Sequence, residues 1–269
     1  MKPSAPATNL LLQALPPQSR GRLHHLLTPV SLRRGTTLHE PGGPIPDVYF
    51  PLTAVVSVVT RMINGETVES ATVGSEGMIG IPVFLSAGPT VEAFVQIPGD
   101  ALRMDARQFF LHAKEDAAVD SLLAGYTAVF IRFMSQSSAC NRVHNLRERC
   151  ARWLLMADNR SEGDTFPLTQ QFLGEMMGVR RASVTETMNE LRRRELVSYK
   201  RGVIRILDRE GLEEVSCECY QTIKDAFDDL VGANTGPGRP SEARGRGGAL
   251  IRPSVRPSEF RMKRPAGQV

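Results

Sequence analysis

The chain has little cysteine, scattered histidine and no apolar run of bilayer length. Four cysteines (Cys140, Cys150, Cys217 and Cys219) do not make a disulfide framework in 269 residues. Cys217-Glu-Cys219 is a short pair with no second pair to complement it. The five histidines (His24, His25, His39, His112 and His144) show no metal-ligand spacing on one helix, so no metal site is expected. Crossing a bilayer takes roughly 18 or more apolar residues in succession, and no such run is present. The opening segment "MKPSAPATNLLLQALPP" carries one Lys and a short Leu cluster but no small-residue cleavage site. A cytoplasmic protein without a membrane partner is expected. Catalytic signatures are missing as well: there is no Ser/His/Asp order, no phosphate-cradling Gly loop and no metal cluster. Glu76 and Glu92 form a carboxylate pair without a partner histidine, which is weak ground for acid–base chemistry. An enzyme is not expected.

What is present is ordinary core material, 41% hydrophobic against 23% charged residues. The net charge of +4 is unevenly placed, because from residue 233 onward eight Arg and Lys face only Glu242 and Glu259. The rest of the chain is slightly acidic, so total charge says little about nucleic acid and position says more.

The texture changes along the chain. Leu10 to Leu27 reads as a short helical lead-in broken at Pro16-Pro17. From Val30 to Met104 short alternating runs are punctuated by Gly and Pro, as in a small barrel or roll. Within "VYFPLTAVVSVVTRMINGETVESATVG", Asn64-Gly65 is read as supplying the positive φ angles of a tight hairpin turn. After Asp105 the pattern becomes helical. Val119, Leu122, Tyr126, Val129, Phe133, Gln136, Cys140 and Val143 recur at three-four spacing, which reads as the seam of a long helix pairing with its twin. Beyond about Gly232 the composition of Pro, Gly, Ser and Arg without periodicity suggests a disordered basic tail.

The most informative stretch is "LTQQFLGEMMGVRRASVTETMNEL". Thr169 is a plausible N-cap, and Phe172, Leu173, Met176 and Met177 form an apolar face. Gly174 permits close helix approach, and Gly178 can take the left-handed conformation that ends a helix. Val184, Met188 and Leu191 then anchor a second helix. This is a helix-turn-helix, and the hairpin in "ELVSYKRGVIRIL", turning at Lys200-Arg201-Gly202, makes it a winged one. The outward N-terminal face of the second helix carries Arg181, Ala182, Thr185 and Glu186, with Ser183 at the margin. Arg can pair bidentately with guanine and Glu can accept from a cytosine amine. Thr169, Arg180, Lys200 and Arg201 are placed for phosphate contacts.

In this order of parts, with "GTTLHEPG", "VYFPLTAVVSVV" and "VGSEGMIGIPVFL" leading to that motif, the chain resembles the Crp/Fnr superfamily of bacterial transcription regulators over roughly Leu10 to Leu230. The resemblance implies an α+β architecture. A double-stranded β-helix (jelly-roll) sensor domain spans 1–115, a long dimerisation helix 116–143, a winged helix-turn-helix domain 144–230 and a basic tail 231–269. It assigns base reading to Arg181, Ala182, Ser183 and Glu186. It further implies a roll that senses a signal, and paired recognition helices that meet a palindrome about 34 Å apart.

A cyclic-nucleotide pocket of that family would place Glu76, Gly77 and Met78 on one side and an Arg-Ser or Arg-Thr pair across the loop. Here Val91 and Glu92 stand at the latter positions, where a carboxylate opposes phosphate and valine offers no donor. Cyclic AMP is not expected to bind in the usual way. An iron-sulfur cluster is not expected either, since the first cysteine is Cys140. The expected partners are double-stranded DNA, a second copy of the chain through Val119, Leu122, Tyr126, Val129, Phe133 and Cys140, an unidentified small-molecule effector, and RNA polymerase. The competing reading is a ligand-binding or protein-interaction module whose winged domain does not read DNA.

Overall fold

The computed structural model describes residues 8–161 and 165–235; the rest of the expected basic tail, 236–269, lies outside the described residues. Asn9 starts the fold by capping α1 (Leu10–Gln13), accepting from the Leu12 N–H at 3.0 Å. Its side-chain amide also donates to the carbonyls of Pro51 and Gly77, at 3.0 and 2.8 Å. The lead-in is therefore tied to the strands that follow. After the break at Pro16-Pro17, α2 (Pro17–His24) begins on a proline, where the first turn needs no N–H donor.

The strands are β1 (Thr28–Leu32), β2 (Thr37–His39), β3 (Asp47–Pro51), β4 (Val55–Arg61) and β5 (Thr67–Val73). After α3 (Ile81–Phe84) come β6 (Glu92–Ile97) and β7 (Gly99–Asp105). They form two antiparallel sheets, β1-β7-β3 and β2-β6-β4-β5, whose buried side chains include Val48, Phe50, Val56, Val58, Val95 and Met104. At the β4–β5 hairpin the expected turn is corrected: Gly65 alone adopts positive φ, at +86°. Asn64 works through its side chain, accepting from the Glu66 N–H at 3.1 Å, so the loop is longer than a two-residue turn. β4 is buried along five successive residues, Val55 to Val59, so both faces of that strand are covered.

Asp105 caps α4 (Ala106–Glu115), and Asp116 caps α5 (Ala117–Val143). Asn145 and Glu148 form a reciprocal capping box at the start of α6 (Leu146–Arg160). The chain continues through β8 (Thr165–Pro167), α7 (Gln170–Met177), α8 (Arg181–Arg193), β9 (Val197–Lys200) and β10 (Val203–Ile206). It ends its described part with α9 (Arg209–Val215) and α10 (Cys219–Thr235). A third antiparallel sheet, β8-β10-β9, forms the wing, with β8 added to the expected hairpin. α10 passes the expected boundary at 230 and lies along α5 rather than remaining with the winged motif.

That placement corrects the expected dimer seam. Val119, Leu122, Tyr126, Phe133 and Cys140 are all buried inside their own chain, and Val129 is half-buried. Tyr126 is fully enclosed, its hydroxyl accepting from the Met78 N–H and donating to the Met78 carbonyl, both at 3.0 Å. Phe227 of α10 packs its ring against Tyr126 and Phe133, with centroids 6.3 and 6.1 Å away. Val119 and Leu122 pack with Leu11, Leu23 and Phe50. Periodicity tells which face is apolar but not what covers it; here α10 and the lead-in helices do. The face left exposed is a different one: Ser121, Ala124, Ala128, Ile131, Ser135 and Ser138, again at three-four spacing. By length and composition α5 is apolar enough to cross a bilayer, with mean hydropathy 1.3 over its most apolar window. In the fold 28% of that window is buried, its covered face packing on α4, α10 and β5.

Candidate nucleic-acid interface

The helix-turn-helix is built by local chemistry at a few positions. The Thr169 hydroxyl accepts from the Phe172 N–H at 3.1 Å and starts α7. Gly178 ends it in the left-handed region, with φ +64° and ψ 38°, where a Cβ would be strained. A Cβ on Gly174 would lie 3.0 Å from the Val179 carbonyl, so a larger residue there would press the turn outward by a few tenths of an ångström. α8 then buries Val184, Thr187, Met188 and Leu191 against α7 and α6. Arg149 of α6 donates to the Met177 carbonyl at 2.8 Å, and Arg147 pairs with Glu190 at 2.7 Å. That hydrogen bond from Arg147 holds the Glu190 carboxyl below its ordinary range.

At the N-terminal end of α8, Arg181, Ala182 and Glu186 are exposed, Ser183 is half-buried, and Arg180 stands exposed at the N-cap. Thr185 is less free than expected, its hydroxyl donating to Gln170 Oε1 at 2.8 Å. The wing turns at Arg201 and Gly202, both at positive φ (+51° and +77°), between Lys200 and Val203, which pair directly. This leaves Lys200 and Arg201 exposed at the wing tip, and Thr169 is exposed at the start of α7. The eight residues assigned to base or phosphate contact thus come from one module of α7, α8 and the wing.

That module packs against the roll. Phe172 meets Phe94 edge-on at 6.3 Å, and Arg34 stacks over Phe172 at 5.5 Å. Arg180 and Arg181 open onto a cleft of about 760 Å³ whose opposite wall is Arg61, Gly65, Glu66, Thr67 and Val68 of the β4–β5 hairpin. Deeper in the same junction, Trp153 Nε1 donates to Glu69 at 2.9 Å and Arg160 pairs with Glu76 at 2.8 Å. Burial, opposed by hydrogen bonds from Ser57 and Trp153, pushes the Glu69 carboxyl up to about 7.

The residues expected to form an effector pocket do not line one cleft together. Glu76 is engaged by Arg160 beside a cleft of about 360 Å³ that also takes in Ser75, Asn159, Ile223 and Phe227 but neither Val91 nor Glu92. Gly77 lies so close to the Tyr126 hydroxyl that a Cβ would collide with it. Met78 is buried with both backbone polar groups on Tyr126. Val91 packs against the core, and Glu92 pairs with Arg61 at 2.7 Å. The sequence aligned these residues across a loop; in the fold Glu76 and Glu92 each pair with a different arginine.

Residues 148–215 match the family model of the Crp-like helix-turn-helix domain. This segment is a Crp-like helix-turn-helix domain. Among curated proteins none matches the chain in sequence. Solved structures extend the likeness beyond that segment, to 70–76% of the chain. FixK2 from Bradyrhizobium japonicum shares 18% identity at TM-score 0.59, covering 71% of this chain and 98% of that one. A Crp/Fnr-family regulator from Eubacterium rectale shares 17% at 0.60, covering 76% and 96%. Another from Thermus thermophilus shares 21% at 0.58, covering 70% and 98%. The chain has the Crp/Fnr regulator fold, with its β-roll, long helix and C-terminal helix-turn-helix domain.

On this Crp/Fnr scaffold one group of residues was missed by the sequence reading. Cys140 and His144 lie one helical turn apart at the end of α5, a spacing that does place two ligands on one face. Cys217 and Cys219 meet them from the segment leading into α10, and the expectation of scattered, unrelated ligands is corrected. Hydrogen bonding with Cys217 holds the Cys140 thiol well below the ordinary thiol range. The i, i+4 Cys/His pair was legible in the sequence; its meeting with Cys217 and Cys219 was not.

Proposed function

We propose that the protein is a cytoplasmic, sequence-specific DNA-binding transcription regulator, and not an enzyme, acting as a homodimer on a palindromic site. The observation that carries this reading is the exposed N-terminal end of α8, with Arg181, Ala182 and Glu186 outward on a rigid helix whose opposite face is anchored in a Crp-like domain. Arg181 and Glu186 offer complementary base-edge chemistry, while Arg180, Thr169, Lys200 and Arg201 frame them with phosphate contacts. The exposed small-residue face of α5, centred on Ala124, Ala128 and Ile131, is the surface that fits a second α5.

The arrangement also supports gating. The N-terminal end of α8 faces the β4–β5 hairpin across a cleft of about 760 Å³, so the spacing between module and hairpin governs access to Arg180 and Arg181. The small-molecule signal fits best at the cleft beside Glu76, which joins roll, α6 and α10. Cyclic AMP bound through Val91 and Glu92 is not part of this reading, since Glu92 is already committed to Arg61. RNA polymerase is the downstream partner.

A gel-shift titration of the full chain against selected palindromic probes, repeated across salt, tests the function. Specific binding should fall steeply with salt, the log–log slope reaching about 0.9 per phosphate contacted. Failure to select any probe from a random pool, together with salt-independent association, would instead leave a winged domain that does not read DNA.

A further inference from the structure

Four ligand-type side chains that the regulatory reading leaves unused converge where α5 ends and α10 begins. Cys140 Sγ lies 3.5 Å from Cys217 Sγ, and Cys219 Sγ lies 3.6 Å from His144 Nδ1. All four ligand atoms are within 4.8 Å of one another. The three cysteines are buried and form a cluster of their own, apart from the main hydrophobic core.

We infer that Cys140, His144, Cys217 and Cys219 form a structural zinc site. Tetrahedral zinc, with bonds of about 2.3 Å to sulfur and about 2.0–2.1 Å to nitrogen, sets its ligand atoms about 3.5–3.8 Å apart. Two of the pairs, Cys140–Cys217 and Cys219–His144, already stand near that separation. Four protein ligands leave no open position, which marks a structural site rather than a catalytic one. Three thiolates and an imidazole select a borderline-soft ion over magnesium or calcium. The ligand atoms are close enough to enclose a single ion, whereas bridging sulfides would hold them farther apart.

The surroundings complete the site. His144 Nε2 stands 3.1 Å from Glu218 Oε2, so the carboxylate fixes the tautomer that leaves the Nδ1 lone pair aimed at the cysteines. Gln136 Nε2 donates to Cys219 Sγ at 3.0 Å, a bond that supports an anionic sulfur. Three thiolates around a dication leave one negative charge. Arg149 and Arg152, buried on α6 with their Nε groups unbonded among the described residues, supply positive charge at that place. Because His144 is the C-cap of α5 and Asn145 the N-cap of α6, the ion pins the joint from which the DNA-binding module extends. It also staples α10 to α5.

The test uses the full chain, reduced, stripped with a chelator and titrated with cobalt(II) and then zinc. The expected result is one cobalt per chain with the intense absorption of a tetrahedral thiolate complex, displaced stoichiometrically by zinc. Protein isolated without chelator should carry one zinc per chain by elemental analysis. Cys217→Ser should abolish the spectrum, Glu218→Gln should weaken binding about 10–100-fold, and Cys150→Ala, whose thiol lies outside the cluster, should retain it. A reduced wild-type chain that gives no tetrahedral thiolate spectrum would overturn the inference, whatever the variants do. So would a spectrum that persists in both Cys140→Ser and Cys217→Ser.

Discussion

Replacing Glu69 by Gln should make the protein more stable at alkaline pH and leave it unchanged at acid pH. Glu69 sits on β5 where the roll meets α6, its Oε1 accepting from Trp153 Nε1 at 2.9 Å and its Oε2 lying 2.8 Å from Ser57 Oγ. Ser57 Oγ is also 2.7 Å from Gln96 Oε1, and one hydroxyl hydrogen cannot serve both oxygens. A protonated Glu69 resolves the conflict by donating to Ser57, which then donates to Gln96. Burial is the main cause of the carboxyl's rise from 4.5 to about 7; Ser57, Trp153, Arg152 and Arg160 oppose it. The folded state therefore binds the Glu69 proton more tightly than the unfolded chain does. This contribution is fully present below the unfolded value of 4.5, fades as pH rises, and is gone above about 7. At ~1.4 kcal/mol per pKa unit the difference is at most ~3.5 kcal/mol, and the partial solvent access of the side chain brings it to about 1–3. Gln keeps both hydrogen bonds without the charge. The assay is urea unfolding followed by the fluorescence of Trp153, the single tryptophan, which touches Glu69 itself. Wild type and Glu69→Gln are compared at about pH 4 and about pH 8, so that every other titrating group cancels in the double difference. The variant should gain about 1–3 kcal/mol over wild type at the higher pH only. Parallel pH profiles, or a variant weaker at the higher pH, would refute the buried-carboxyl reasoning.

Further expectations follow from other contacts. Arg181→Ala should relax base specificity by about 1–3 kcal/mol at one position of the site, whereas Arg201→Ala should lower affinity on all probes and reduce the salt slope; both are read by gel shift. Ile131→Glu on the exposed face of α5 should shift the protein to monomer in sedimentation without lowering its unfolding midpoint, while Phe133→Ala should destabilise the chain by about 3–5 kcal/mol as a core truncation. Gly77→Ala forces a methyl onto the Tyr126 hydroxyl and should cost about 1–3 kcal/mol in urea unfolding. Chelation of the inferred zinc should remove about 2.7 kcal/mol of stability relative to protein held at a hundredfold over its Kd, measured as a lowered unfolding midpoint that zinc restores.

How far the sequence could be read varied with the kind of information involved. The helix-turn-helix was legible because its determinants are local: a cap at Thr169, small residues at Gly174 and Gly178, and an i, i+4, i+7 anchor through Val184, Met188 and Leu191. The turn at Asn64-Gly65 was legible as a turn, but its type depended on the Asn64 side chain. The stripe on α5 was legible as buried and was assigned the wrong neighbour. Its partner, α10, begins 76 residues after α5 ends, and no periodicity in α5 reveals it. The effector residues were aligned by their order in the chain, whereas Arg160 and Arg61, distant in sequence, claim Glu76 and Glu92.

By itself, then, the sequence determined the elements and the winged helix-turn-helix module, because caps, turns and amphipathic anchors act within a few residues of one another. Tertiary structure alone decided which face of α5 remains free, where the reading end of α8 lies relative to the β4–β5 hairpin, and that Cys140 and His144 meet Cys217 and Cys219. Those are outcomes of long-range packing, in which the docking of α10 on α5 fills one apolar face, exposes another and brings two separated ligand pairs to bonding distance.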